Sequence, residues 1–135
     1  MMADVRVGLS WAGGLAFESE RNGNGRLRIE SSGDGGPSPM ETLLFAAAGC
    51  SAIDVVDILE KMRVPLSDLD VEVQGERRPE PPRRYTRIRL VFRAGVAPES
   101  EAKLRRAVEL SMKRYCSVVH SLRPDIELIT EVTLV

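Results

Sequence analysis

The sequence predicts an α+β fold with mainly antiparallel sheet and one long, buried helix. Stretches in which apolar and polar residues alternate, which is typical of strands, lie both before and after the helical segments. They do not alternate regularly with helices, as the strands of a parallel α/β fold would. One central segment is apolar on every side, which indicates a helix without a solvent-facing stripe. The length of 135 residues fits one domain, predicted over residues 1–135.

The opening segment predicts a small antiparallel meander. Val5–Trp11 alternates as a half-buried strand, and Leu15–Glu18 and Leu27–Glu30 are the second and third strands. Gly13 and Gly14 mark the first turn. The second turn is predicted at Asn22–Gly25, because Asn-Gly adopts positive φ at little cost.

The central segment predicts a helix from Met40 to Arg63. Ser38 can cap its N-terminus, with Pro39 at the first helical position and Glu41 close behind. Residues 43–50 are apolar on every side, so this part of the helix is expected to be buried.

The remaining residues add strands on either side of a second helical region. A helix is predicted to open at Pro98, with Leu104, Val108 and Met112 on its apolar stripe. Residues 115–117 interrupt that helix, and a short further helix follows at 118–122. Three strands are predicted, at 69–73, 86–92 and 126–135.

The composition excludes several classes of partner. Nineteen basic and 20 acidic residues leave a formal net charge of −1, which gives no electrostatic reason to expect nucleic acid or an acidic membrane. No signal-peptide pattern is visible, and no fully apolar stretch reaches about 18 residues. We therefore predict a cytoplasmic protein, in which free thiols stay reduced.

Most catalytic and metal-binding motifs are missing. The sequence contains no G-x-S-x-G, no H-E-x-x-H, no P-loop and no complete dinucleotide fingerprint. His120, the single histidine, is a possible base, although a surface histidine is the simpler interpretation. Two cysteines without a C-x-x-C pair and one histidine are too few for a zinc site. We predict neither a metal nor a bound cofactor.

The two cysteines, Cys50 and Cys116, remain as candidates for chemistry. Cys50 lies in an apolar helix, where a free cysteine is often only a small packing residue. Cys116 follows Lys113 and Arg114 and opens a short helix, and both features lower a thiol pKa. If the two thiols meet, one can be oxidised by a peroxide and the other can condense with it to a disulfide, which a dithiol donor reduces.

Charged residues near these cysteines are secondary candidates. Glu41 lies on the first turn of the Cys50 helix, where it can equally serve only the helix dipole. Asp54 follows Cys50 by one turn and would oppose thiolate formation, so a cation must compensate. Arg28, on the strand before the Gly/Pro loop, is a candidate for that cation, and any other arginine could also supply it.

Two segments resemble the OsmC/Ohr family. The first reads GPSPMETLL at 36–44 and AAAGCSAIDV at 46–55, and the second reads YCSV at 115–118. A Ser-Pro helix start with a cysteine further along the same helix is a specific combination. The similarity covers nearly the whole chain and is greatest to the OsmC-like branch.

The resemblance implies a fold, a partner and a chemistry. Family members have antiparallel sheets around a long buried central helix and form intertwined homodimers with active sites at the interface. They reduce organic hydroperoxides, which assigns the peroxidatic role to Cys50 and the resolving role to Cys116. A dithiol, for some members on a lipoylated protein, is the reductant, and no metal or cofactor is used.

The chain departs from the pattern of the family's peroxidases at three positions. Met40 occupies the position of their helix-start glutamate, so Glu41 is shifted by one residue. Leu15 occupies the position of an arginine, for which Arg28 is the predicted substitute. Ser117 replaces the proline that usually follows the second cysteine.

The leading hypothesis is therefore a thiol peroxidase that uses Cys50, Cys116, Glu41 and Arg28. The alternative is a non-catalytic OsmC-like binding protein with a small-molecule pocket at the dimer interface. A general disulfide oxidoreductase is a third interpretation, which the missing C-x-x-C arrangement disfavours.

Overall fold

The structure, a computed structural model, describes residues 5–19, 27–31 and 35–135. The chain comprises two compact units, Met1–Leu43 and Leu44–Val135. The elements of the described residues are β1 (Leu9–Trp11), β2 (Ala16–Ser19), β3 (Arg28–Glu30), α1 (Pro39–Lys61), β4 (Leu69–Arg77), β5 (Tyr85–Ala94), a 3₁₀ turn (Pro98–Ser100), α2 (Glu101–Leu110), a π-helical turn (Ser111–Tyr115), α3 (Ser117–His120) and β6 (Glu127–Leu134). Helices and sheets are present together, which confirms the predicted α+β class.

The first unit contains the predicted antiparallel meander. β1 pairs with β2 and β2 pairs with β3, both antiparallel. The first strand is shorter than predicted: it begins at Leu9, and the exposed residues Val5 and Val7 lie outside it. The predicted turn at Asn22–Gly25 lies outside the described residues.

The loop before α1 runs close beside β3. The N–H of Glu30 donates to the Pro37 carbonyl oxygen at 3.0 Å. A Cβ at Gly36 would stand 2.6 Å from the Arg28 carbonyl oxygen, so only glycine fits here without a backbone shift. This explains why the Gly-Pro pair precedes the helix.

A capping box starts α1, and Ser38 is the N-cap residue that the sequence predicted. The Ser38 hydroxyl accepts from the Glu41 N–H at 3.1 Å, and the Glu41 carboxylate accepts from the Ser38 N–H at 3.0 Å. The helix ends at Lys61, and Arg63 adopts a positive φ of 61° just beyond it. The predicted end at Arg63 is therefore two residues late.

The burial of α1 is one-sided within the second unit. Ala47, Val55 and Leu59 are buried, whereas Phe45 is 64% exposed and Ile53 is 71% exposed. In the single chain, α1 is therefore buried on one face and exposed on the other, and not buried on every side as expected.

By length and composition alone, α1 could cross a membrane, and among the described residues it is the one helix with that property. The sequence predicted no fully apolar stretch of about 18 residues, and α1 is not such a stretch, because charged residues interrupt it. The core helix of a soluble protein has the same length and composition. Four carboxylates lie on α1, those of Glu41, Asp54, Asp57 and Glu60, and such groups are costly inside a bilayer.

The second unit contains a three-stranded mixed sheet in the order β4-β5-β6. β4 and β5 are antiparallel, but β5 and β6 are parallel. Three of the four strand pairs among the described residues are antiparallel, as the prediction of mainly antiparallel sheet requires, and β5–β6 is the exception. The chain leaves β5 through α2, the π-helical turn and α3, and such a long helical crossover returns it in the same direction.

The core of the second unit is centred on β5 and α2. Ile88, Leu90 and Phe92 alternate along β5 and are fully or almost fully buried, as are Leu104 and Val108 of α2. The helical stripe and the strand alternation predicted from the sequence thus supply this core.

Candidate active site

The two cysteines lie together in the second unit. Cys50 and Asp54 are one turn apart on α1, and Cys116 stands between the π-helical turn and α3. Both Sγ atoms and an Asp54 carboxylate oxygen lie within 4.8 Å of one another. Both cysteines are free. The condition that the sequence could not test, whether the thiols meet, is fulfilled.

The π-helical turn sets the position of Cys116. The Cys116 N–H donates to the Ser111 carbonyl oxygen at 2.8 Å, five residues back. Cys116 then adopts an extended backbone and caps α3, where its Sγ accepts from the Val119 N–H at 3.5 Å. The interruption predicted at this point therefore aims a side chain at α1.

The two thiols differ in exposure. Cys116 is 0% exposed and packs with Ala47 and Val119, whereas Cys50 is partly exposed. Cys50 is therefore the thiol that a molecule from solution can reach first.

The environment of Cys116 raises its pKa to about 11. Burial is the largest cause, because it disfavours the thiolate; Cys50 and the negative charge of Asp54 add to it. The N–H of Val119 acts in the opposite direction. The predicted lowering of this pKa is therefore wrong.

The basic residues before Cys116 have other partners, which explains this error. The Lys113 ammonium lies 3.7 Å from the Glu109 carboxylate. The Arg114 guanidinium stacks 5.5 Å above the Tyr115 ring. Neither cation offsets the burial of the Cys116 thiol.

A buried serine pair supports Asp54, and the sequence reasoning missed it. The Ser111 hydroxyl is within hydrogen-bond distance of the Asp54 Oδ2, at 2.9 Å, and of the Ser51 hydroxyl, at 3.1 Å. Both serines are fully buried. The sequence could have indicated the burial of Ser111, because Ser111 falls on the same helical stripe as Leu104 and Val108.

Glu41 and Arg28, the other predicted site residues, are engaged within the first unit. Glu41 belongs to the capping box of α1. Arg28 donates to the Glu18 carboxylate at 3.1 Å and to that of Glu30 at 3.4 Å. Their catalytic roles stay predictions. His120, on α3, is exposed.

A cleft of about 450 Å³ is lined in part by Asp54, the carboxylate that stands beside the two cysteines. Ile58, Met62 and Leu110 give it apolar walls, and Lys61 and Tyr115 add polar atoms. Its volume lies in the range of small-molecule pockets.

Comparison with known protein families identifies the family of this chain. A family model described as "OsmC-like protein" matches residues 31–131, which include both cysteines. The chain belongs to this family. The OsmC/Ohr resemblance seen in the helix and cysteine motifs is thereby confirmed.

Individual relatives of this OsmC-like protein support the same assignment. Protein YhfA of Escherichia coli (strain K12) is 44% identical over 125 residues, which cover 92% of this chain and 93% of that protein. A hypothetical protein from Aquifex aeolicus VF5 superposes with a TM-score of 0.87 at 29% identity, covering 99% of this chain and 98% of that one. The organic hydroperoxide resistance protein OhrB of Bacillus subtilis superposes with a TM-score of 0.66 at 14% identity, covering 95% and 98%. At that identity the likeness shows the fold alone.

Proposed function

We propose that this OsmC-like protein reduces organic hydroperoxides, with Cys50 as the peroxidatic thiol and Cys116 as the resolving thiol. The observation that carries the proposal is the approach of the two free thiols within 4.8 Å, one partly exposed and one buried. A protein of the same fold bears the name organic hydroperoxide resistance protein.

The first step oxidises Cys50. Its thiolate attacks the terminal oxygen of the hydroperoxide, so that an S–O bond forms and the O–O bond breaks. The alkoxide takes up a proton and leaves as the alcohol, and Cys50 becomes a sulfenic acid. The partial exposure of Cys50 suits this step, since the peroxide must reach the sulfur.

The second step protects Cys50 and the third restores it. The Cys116 sulfur attacks the sulfenic sulfur, water leaves and a Cys50–Cys116 disulfide forms. An external dithiol, such as that of a lipoylated protein, reduces the disulfide by exchange and is itself oxidised. We place the cycle in the cytoplasm, where such donors keep thiols reduced.

Stopped-flow measurement of cumene hydroperoxide consumption with a dithiol donor tests this cycle. The wild-type protein is expected to turn over, and Cys50→Ser to lose activity entirely. Cys116→Ser should complete one oxidation per chain and then accumulate sulfenic acid, detected by mass spectrometry. Turnover by Cys50→Ser, or no oxidation of the wild type, would disprove the proposal.

We also propose that the protein is a homodimer in which a second copy covers the exposed face of α1. This face consists of Phe45, Gly49, Ile53 and Val56, which helical geometry places within an arc of about 80°. A Cβ at Gly49 would meet no atom within 4 Å, so a partner helix has room to approach there. Cys50 lies between this face and the buried one, which would place it at the edge of the interface.

Analytical ultracentrifugation of Ile53→Asp tests the dimer. The wild type is expected to sediment as a dimer and the variant as a monomer, because a carboxylate in an apolar interface is left without a partner. Lys103→Asp, on the exposed surface of α2, is the control and should remain dimeric. A monomeric wild type would contradict this proposal.

One observation favours the binding function as a second candidate. The cleft beside Asp54 has the size of a ligand pocket, and it combines apolar walls with polar atoms from Lys61 and Tyr115. Mass spectrometry after one equivalent of peroxide separates the two functions. A protein that gains neither sulfenic acid nor disulfide is not the proposed peroxidase, and the binding function then remains as the candidate.

A further inference from the structure

The second unit brings two thiols and a carboxylate to one point. We propose that the reduced cluster of Cys50, Asp54 and Cys116 binds one Zn²⁺, with the two sulfurs and one carboxylate oxygen as ligands. This site departs from the sequence prediction, which counted only cysteine and histidine as ligands. Asp54 is the donor that such a count leaves out.

The spacing of the three donor atoms suits zinc. A Zn–S bond of about 2.3 Å in tetrahedral geometry places two sulfurs about 3.8 Å apart. The donor atoms here span at most 4.8 Å, so side-chain adjustments of about 1 Å close the site. Two thiolates with a carboxylate match this borderline-soft ion, and the fourth position remains for water.

The surrounding residues orient these donors. Ser111 hydrogen-bonds the Asp54 carboxylate and is in turn held by Ser51. The Val119 N–H fixes the Cys116 sulfur from the other side. Partners of this kind commonly hold metal ligands in place, and here they exist before any ion is bound.

Charge and access favour a cation at this point. Asp54 forms no ion pair with any residue that the structure describes. Asp54 lines a cleft and Cys50 is partly exposed, so two of the three donors are accessible from solvent. A divalent cation would supply the counter-charge that the neighbouring side chains do not provide.

Zinc binding and disulfide formation exclude each other. Binding releases one proton from each thiol, and both sulfurs then donate an electron pair to the ion. The same sulfurs cannot also be joined in a disulfide. The inference concerns reduced thiols only and does not depend on peroxide reduction.

Titration of the reduced protein with ZnCl₂ against a chromophoric zinc indicator tests the site. We expect one ion per chain with a dissociation constant of at most about 1 µM. The same protein oxidised to the Cys50–Cys116 disulfide should bind none, which tests the ligands without any substitution. Co²⁺ in place of zinc should give thiolate-to-metal charge-transfer absorption in the near ultraviolet.

Substitutions identify the ligands. Ser111→Ala removes a supporting partner and should weaken zinc binding roughly 10- to 100-fold. Asp54→Asn and Cys116→Ser each remove a ligand and should weaken zinc binding by more than that. Asp57→Asn is the matched control and should not weaken binding, because Asp57 pairs with Lys61 at 3.0 Å on the exposed surface.

Three results would overturn the zinc site. They are no stoichiometric binding by the reduced wild type, unchanged binding after disulfide formation, and equal weakening by Asp54→Asn and Asp57→Asn. Zinc binding without peroxide turnover would remove the proposed peroxidase and leave this site standing. Peroxide turnover without zinc binding would remove the zinc site and leave the proposed peroxidase standing.

Discussion

At the scale of single residues, the environment of Cys116 decides its chemistry. A sulfur at a helix start after two basic residues is normally acidic, but this one is fully buried. Burial, Cys50 and Asp54 together outweigh the single N–H of Val119. A thiol that is neutral and shielded is a poor first target for a peroxide, which leaves the first oxidation to Cys50.

The raised pKa of Cys116, about 11 against an ordinary 9.0, predicts slow alkylation. At pH 9 about half of an unfolded thiol but only about 1% of the folded one is thiolate, so iodoacetamide should react on the order of 50-fold more slowly with folded protein. Peptide mass spectrometry of the alkylated wild-type protein, which separates the Cys116 peptide from the Cys50 peptide, measures this. Equal rates in native and urea-unfolded protein would contradict it.

The same shift predicts how stability depends on pH. A folded pKa above the unfolded one means that the neutral thiol stabilises the fold below about pH 9. This stabilisation is lost as the pH rises towards about 11. Urea unfolding of the wild type should show the fall, and Cys116→Ala should show a smaller one.

At the scale of elements, the start of α1 combines a structural role and a candidate catalytic role in one residue. Glu41 completes the capping box with Ser38. The shift from the family's glutamate position to Glu41 raises the question whether this carboxylate serves only the helix. Two substitutions at the capping box separate the roles.

Ser38→Ala should lower the free energy of unfolding by about 1 kcal/mol, because the Glu41 N–H loses its acceptor. Glu41→Gln keeps an acceptor for the Ser38 N–H and should change stability by less than about 0.5 kcal/mol. Urea unfolding measures both. If Glu41→Gln also keeps peroxide turnover, the carboxylate is not catalytic, and the prediction of its role fails.

At the scale of the whole molecule, stability and self-association rest on different apolar surfaces. Phe92 on β5 is fully buried within the second unit, whereas Phe45 on α1 is exposed. Phe92 supports the core of the single chain, and Phe45 belongs to the face of α1 that is proposed to contact the second copy. Substituting alanine at each position therefore tests the stability of the single chain and the stability of the dimer separately.

Phe92→Ala should lower the free energy of unfolding by about 3–5 kcal/mol at every protein concentration, since it empties a core site. Phe45→Ala should act only through the dimer, so its effect should grow with protein concentration. Urea unfolding at a low and a high concentration measures both. A large, concentration-independent loss from Phe45→Ala would contradict the proposed interface.

The sequence by itself determined the elements of this protein and its family. Alternation located the strands, Ser38 and Pro39 located the start of α1, and the motif around Cys50 indicated the OsmC-like family that the comparison confirmed. These properties are local, because periodicity and capping depend on residues within a few positions of one another.

Only the tertiary structure decided how those elements meet. The parallel pairing of β5 and β6 follows from the path of the crossover helices. The hydrogen bond between Ser51 and Ser111 joins residues 60 positions apart, and the cysteine pair depends on the same approach of two elements. Burial then reversed the expected pKa of Cys116, because desolvation depends on everything packed around the sulfur and not on its neighbours in sequence.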